Sequence, residues 1–430
     1  MKKISIKLVA TIASISLLVC GCNTTDISEY YDPDYELYAG VNEMTGEDLV
    51  EFMNNDKPWL MYEKTENKNP DMEELTAWDV VNDIRIGWNL GNSLEAVNDS
   101  ILRTSEPAKF ETCWGNIVTT QKMVDDVIDA GFNVVRVPVT WYPHLDDEYK
   151  IDDVWMDRVQ QVVDYAYKRG VYVILNIHHE EGYWSFPSYE NESKACYIAR
   201  RIWAQISERF KDYDEHLIFE VQNEPRKVGT DVEWNDGDAE GRDVVNRVNF
   251  ACYEAIRNSG GSNPYRMIML PGYAASSSTK ALEGWKKPDN DDRIIVSVHA
   301  YSPYNFALLV GPGEKLEWEN DTWAIDTLKN DLQRLFIDKN IPVIIGEFGA
   351  VSRDDSVERR LEWADYYMRT FTEIGVPCVI WDNNNYGERG ERFGIYKRDD
   401  NSWPYPEYLE KLMENTASRV KVSDDAEGEE

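Results

Sequence analysis

Basic residues are scarce in this 430-residue chain: 45 Lys and Arg stand against 79 Asp and Glu, a formal net charge of −34. So negative a chain repels nucleic acid and anionic membrane surfaces. It also disfavours a polyanionic ligand such as pectin and leaves neutral polymers compatible. Cysteine is scarce as well. Beyond the two near the N-terminus, Cys113, Cys196, Cys252 and Cys378 lie far apart and form no C-x-x-C pair, so neither a thiolate metal site nor a dense disulfide framework is indicated, while long-range pairing stays open. There are five histidines, with no H-E-x-x-H, and no H-x-H on the first apolar run. A metallo-hydrolase barrel would show one of these, so no metal is expected. No G-x-G-x-x-G follows that first run, which argues against a dinucleotide-binding sheet. No short internal repeat is present, and beyond the N-terminal segment no apolar run could cross a bilayer.

What is abundant is aromatic: 15 Trp and 25 Tyr. Many must pack a core, and some are candidates for flat platforms of the kind sugar rings need. The 42% of hydrophobic residues suffices for a sizeable core.

The N-terminus reads as a leader. Lys2, Lys3 and Lys7 flank a short apolar run over 8–19, followed by Val19-Cys20-Gly21-Cys22. This resembles a bacterial lipobox, with Cys22 as the lipid-attachment residue; an ordinary cleaved signal is the other reading. Residues 1–22 are therefore expected to be a lipoprotein signal peptide. Residues 23–75 form a polar, acidic tether and an N-terminal extension, and 417–430 an acidic disordered tail.

Between them, eight apolar β-rich runs alternate with helical patterns. The runs are 84–90, 133–139, 171–177, 217–222, 267–270, 294–298, 342–345 and 376–380. They are continuous rather than alternating, as strands buried on both faces should be. Helical spacing appears over 119–130, 154–168, 198–210, 323–339 and 357–374, and Gly131, Gly170 and Gly375 supply left-handed stops. Eight β-then-α units in one chain predict an α/β fold, a (β/α)₈ TIM barrel spanning 76–416.

Active sites of such barrels lie at the C-terminal ends of the strands. Seven of the eight runs end in polar or aromatic groups: Asn89 to Asn92, Arg136, His178-His179-Glu180, Asn223-Glu224, His299 with Tyr301, Glu347, and Trp381-Asp382. The fifth ends blandly at Pro271-Gly272. Either glutamate alone reads equally as a salt-bridged or capping carboxylate. The pair, on runs four and seven, matches the two carboxylates that glycoside hydrolysis requires. Arg136 in mid-strand needs a counter-charge; Glu347 is one candidate, another barrel acid the alternative. His178 and His179, as strand neighbours, should point to opposite faces and not grip one ion. One would face the pocket and the other be structural.

Taken together, Gly87-Trp88-Asn89-Leu90-Gly91-Asn92, Val135-Arg136-Val137-Pro138, His178-His179-Glu180, Asn223-Glu224-Pro225, His299-Ala300-Tyr301 and Gly346-Glu347-Phe348-Gly349 resemble glycoside hydrolase family 5, the cellulase family, over roughly 76–397. Thr112 to Asn116 and Trp381-Asp382-Asn383 point to its endo-β-1,4-glucanase branch. The resemblance implies a retaining enzyme with Glu224 as acid/base and Glu347 as nucleophile. It implies that Asn92, Arg136, His178, His179, Asn223, His299, Tyr301 and Trp381 line the substrate site, and that no cofactor is required. The expected partner is a neutral β-glucan such as cellulose, mixed-linkage glucan or xyloglucan, bound by a monomer that meets a membrane only through its lipid anchor at the cell envelope or cell surface. A mannanase or xylanase on the same scaffold is the nearer alternative, and a glycan-binding lipoprotein without catalysis the more distant one.

Overall fold

Each of the eight apolar runs forms a strand: β1 (Ile86–Leu90), β2 (Val134–Val137), β3 (Tyr172–Asn176), β4 (Leu217–Glu220), β5 (Ile268–Ser276), β6 (Ile294–His299), β7 (Val343–Phe348) and β8 (Cys378–Asp382). They close in sequence order into a parallel barrel. The computed structural model describes residues 65–353, 357–387, 390–416 and 421–422. The leader and Cys22 lie outside that range, as does most of the acidic tail.

Numbering helices by the strand each follows, α1 is Gln121–Asp129, α2 Asp153–Tyr167, α3 Glu192–Arg209, α4 Ala239–Arg257, α5 Thr279–Glu283, α6 Trp323–Leu335, α7 Glu358–Thr372 and α8 Pro406–Glu414. The sequence reading assigned no helix at α4. Its buried side carries Asn246 and Asn249 among the valines and alanines, which blurs the apolar period. Helix α3 starts at Glu192, six residues before the apolar stripe suggests, and α6 stops at Leu335 before a 3₁₀ turn over Ile337–Lys339.

The helices do more than cover the sheet; three of them pin strand ends. In α3, Trp203 packs its ring 5.0 Å from Phe219 and donates its indole NH to the Val221 carbonyl over 3.0 Å. In α4, Asn249 accepts from Gln222 and donates to the Pro271 carbonyl, each over 2.8 Å. In α7, Trp363 donates to the Ser302 carbonyl over 2.9 Å and Tyr367 to the Ala300 carbonyl over 2.8 Å. The loops that follow β4 and β6, and β5 at Pro271, are thereby held from behind. Truncating one such tryptophan costs about 3–5 kcal/mol in a packed core.

Strand β5 does not stop at Leu270. It runs on to Ser276 through an irregularity between Pro271 and Ser276, with Ala274 and Ala275 at φ 53° and 44°. Its end is not bland either: Ser276 pairs with His299, and the Tyr273 hydroxyl accepts from the Lys227 amide at 2.9 Å and donates to the Val232 carbonyl at 2.7 Å. An apolar run gives no hint of such an extension, because its function is to buttress a neighbouring loop.

At the opposite end of the barrel, residues 65–75 dock onto the loops before β4 and β5. Gly261 donates to the Thr65 carbonyl, and Asn69 donates to Ser262. At the other terminus, the Val422 backbone exchanges two hydrogen bonds with Asn82, at 2.8 and 3.0 Å. Among the described residues, Cys113, Cys196, Cys252 and Cys378 form no disulfide with one another. Among the described residues no helix is long and apolar enough to cross a membrane.

Candidate active site

The barrel interior contains a fully buried cation. Arg136, on β2, reaches four groups: Glu220 at 2.7 Å, Asn89 at 2.9 Å, Glu347 at 2.8 Å and Asn223 at 2.8 Å. Both readings of its counter-charge hold at once. Glu347 takes one nitrogen, and Glu220, entirely buried on β4, takes the other side. Strand register explains the meeting: Asn89 lies beside Arg136, Asn176 beside Glu220, and His299 beside Glu347. Glu220 is held further by the Ser297 hydroxyl at 2.6 Å and the Asn176 amide at 3.1 Å. Removing a partner from such a network would strand a charge in low dielectric.

Above this layer sit the two carboxylates. Glu224, one-fifth exposed, follows β4, and Glu347 lies within β7. With His299 they form a cluster whose nearest ligating atoms all lie within 4.8 Å of one another. His299 Nδ1 is 2.8 Å from Glu224 and 3.7 Å from Glu347. The Tyr301 hydroxyl donates to Glu347 over 2.9 Å. Carboxyls of retaining glycosidases stand about 5 Å apart and those of inverting enzymes about 6.5–9.5 Å. Oxygens no more than 4.8 Å apart fall short of the inverting range and suit the retaining one.

Electrostatics divide the three groups. Burial pushes the Glu347 carboxyl up, and the facing Glu224 adds to this; the charges of His299 and Arg136 oppose it. Burial also acts upward on Glu224, but the His299 hydrogen bond and charge, then Arg226, outweigh it and bring Glu224 below its ordinary value. His299 is pushed up, against its burial, by the two carboxylates. A general acid beside a second carboxylate is expected to have a raised pKa in the free enzyme; the structure corrects this for Glu224, because His299, hydrogen-bonded to it and 3.7 Å from Glu347, favours its charged form.

His178 is buried and held neutral, its pKa well below the usual range because burial disfavours the cation. Its tautomer follows from its neighbour. Asn176 Oδ1 accepts from the Val139 amide at 3.0 Å, so Asn176 Nδ2 donates to His178 Nδ1 at 3.0 Å. The proton of His178 then sits on Nε2. Its ring stacks parallel to Trp381, centroids 6.0 Å apart. The opposite-face expectation for His178 and His179 is not met. Both lie beyond the last residue of β3, where alternation ends, and their rings meet edge to face at 4.4 Å. His179 continues outward to the exposed Trp114, 5.6 Å away.

Arg136, His299 and Tyr301 therefore meet the two glutamates directly, Asn223 joins them through Arg136, His178 stacks on Trp381, and His179 faces Glu224 from the loop after β3. Asn92 is different. It occupies a left-handed turn at φ 57° whose amide donates to Glu95, and its side chain bonds neither carboxylate. Glu180 and Asp382 hold loops rather than face the cleft: Glu180 accepts from the Trp141 and Tyr142 amides, and Asp382 from the Trp88 indole and the Tyr396 amide. Sequence reasoning missed Glu220, Asn176, Ser297, Arg226 and Glu391. Glu220 had a signal, since it and Arg136 are opposite charges set deep in apolar strand runs.

Residues 99–387 match the profile of Cellulase (glycosyl hydrolase family 5). This chain belongs to that family. Endoglucanase B of Neocallimastix patriciarum is 44% identical over 354 residues, covering 82% of this chain and 74% of that one. Among solved structures, a broad-specificity endoglucanase from Clostridium longisporum superposes with a TM-score of 0.77 at 42% identity, over 80% of this chain and 99% of its own. A xyloglucan-specific endo-β-1,4-glucanase from a metagenomic library, in complex with cellotriose, gives 0.75 at 39% identity, over 79% and 98%. The family 5 glycoside hydrolase described here keeps the two glutamates at the ends of its fourth and seventh strands.

Proposed function

We propose that this family 5 enzyme is an endo-β-1,4-glucanase that cuts internal bonds of neutral β-glucans by double displacement. The observation that carries the reading is the Glu224–Glu347 pair, its carboxylate oxygens within 4.8 Å of each other at the mouth of the barrel. The relatives support the substrate class, being named for broad-specificity and xyloglucan-specific endoglucanase activity.

The geometry supports a role for each residue. Glu347, held by Arg136 and Tyr301, attacks the anomeric carbon and forms a glycosyl ester. Glu224 protonates the departing glycosidic oxygen, drawing on the proton it shares with His299. It then removes a proton from the water that hydrolyses the ester. Asn223 accepts from Arg136 through its oxygen, which turns its amide NH₂ toward the sugar hydroxyls. The neutral His178, with its Nε2 proton, and the face of Trp381 complete the subsite. Asn92 contributes at its edge through the loop that Glu95 holds. Activity on barley β-glucan, xyloglucan, carboxymethyl-cellulose, mannan and xylan tests the reading. Turnover of the glucans is expected; turnover of mannan or xylan alone would move the enzyme to the neighbouring activities.

The lipobox supports a second element, acylation of Cys22 and display at the cell envelope or surface. Replacing Cys22 with Ala would then release the protein from the membrane fraction; equal membrane association of both forms would contradict it.

A further inference from the structure

We propose that Arg226 and Glu181 are a positioning pair for the acid/base: Arg226 steers the Glu224 carboxylate, and Glu181 sets how much of that positive charge Glu224 feels. The inference rests on Glu224 being the acid/base.

Arg226 lies two residues after Glu224, and its guanidinium is shared. One nitrogen stands 3.1 Å from Glu181, 3.8 Å from the Glu224 carboxylate and 3.0 Å from the Glu224 carbonyl. Another nitrogen is 3.3 Å from Glu233. The cation thus answers to three carboxylates, only one of which does chemistry. Its plane lies 4.2 Å over the ring of Trp234, which is half exposed. The Tyr273 hydroxyl, on the extension of β5, bonds both sides of this loop, at Lys227 and Val232. The loop is therefore built to hold one guanidinium at a fixed distance from the acid.

Glu181, after β3, is nearly buried and has Arg226 as its close cation, with His179 at 3.9 Å. Burial pushes its carboxyl up to about 7, so it changes charge in the range where a glycosidase works. A negative Glu181 draws Arg226 away from Glu224 and repels Glu224 directly. A neutral Glu181 leaves Arg226 to Glu224 and Glu233. The other groups facing Glu224 are His299 from β6, Glu347 from β7, His179 from the loop after β3, and Glu391 from the loop after β8. None of them is ion-paired to Arg226, although His179 lies in its field, so the pair can be tested apart from the rest.

The test is the pH dependence of kcat/KM on soluble β-glucan for wild type, Arg226→Met, Arg226→Lys and Glu181→Gln, with Glu224→Gln as reference. The basic limb is loss of the proton that Glu224 shares with His299, which is held above the ordinary histidine value, in the range where Glu181 carries charge. Loss of the cation should move it up by about one pH unit, and loss of the Glu181 charge should move it down by about as much, the order expected of a unit charge near 4 Å behind partial screening. Arg226→Lys should fall between wild type and Arg226→Met. Opposite shifts are what a merely structural pair would not give. Shifts in the same direction, or no shift in the near-isosteric Glu181→Gln, would overturn the proposal. If the basic limb survives unmoved in the residual activity of Glu224→Gln, the acid assignment itself fails, which is a separate result.

Discussion

Arg136 Nη1 donates to Glu347 Oε1 over 2.8 Å, at full burial of the guanidinium. The bond fixes the carboxylate and favours its ionised form. Replacing Arg136 with Met should lower kcat/KM by about a hundredfold or more, the scale of losing a preorganised electrostatic contact. It should also destabilise the fold by about 3–5 kcal/mol, because Glu220 is left buried without its partner. Steady-state kinetics and urea unfolding check the two effects separately. An active, equally stable variant would remove Arg136 from the account.

The phenol of Tyr301 is the second donor to Glu347, over 2.9 Å. A hydrogen bond to the charged form lowers a carboxyl pKa. Tyr301→Phe should therefore raise the Glu347 pKa, move the acidic limb of the pH–rate profile upward, and reduce kcat/KM about tenfold, as expected for one charge-assisted bond. A profile whose acidic limb stays in place would show that the hydroxyl does not act on the nucleophile.

Most of the fold was legible because its signal is local. Eight continuous apolar runs mark eight strands wherever both faces are buried, and the two glutamates stand out as polar strand ends. What stayed hidden depends on long-range geometry. Asn176 and Ser297 look like ordinary strand polars until the barrel closes and brings them to Glu220. The extension of β5 through Ala274 and Ala275 requires a backbone irregularity that composition does not announce. The histidine pair was misread because strand alternation was applied two residues past the end of the strand. Glu224 was misread because His299 lies far away in sequence.

Gly346 shows how little room the site leaves. A Cβ at that position would lie 3.3 Å from His299 Nε2 and 3.3 Å from Ser297 Oγ. Gly346→Ala should displace His299 by a few tenths of an ångström and lower kcat about tenfold with little change in KM, since misplacement of catalytic groups acts on the chemical step. Circular dichroism should show the fold retained. Unchanged kcat would mean that His299 can move without cost.

Stability should also depend on pH. Burial raises Glu95 and Glu181 to about 7 and Glu180 to about 8. Each binds its proton more tightly in the folded state, so its contribution is present at low pH and is lost as pH rises through 7–8. Buried His144 is lowered to about 3 and partly exposed His179 to about 4, so their contribution is lost as pH falls below the ordinary histidine range. The melting temperature should peak near pH 6 and decline toward pH 8.5, with protons released on unfolding at pH 7.5. Calorimetry in buffers of differing ionisation enthalpy measures both. A melting temperature that climbs from pH 6 to 8.5 would contradict the assignment of these carboxyls as protonated in the fold.

The central claim is that Glu347 attacks the sugar directly, because the space between it and Glu224 matches a retaining site. Proton NMR of the first products from a soluble β-1,4-glucan reads this before mutarotation blurs it. The β-anomer should appear first and the α-anomer only later. An α-anomer appearing first would mean inversion, with a water between Glu347 and the anomeric carbon, and would end the nucleophile assignment.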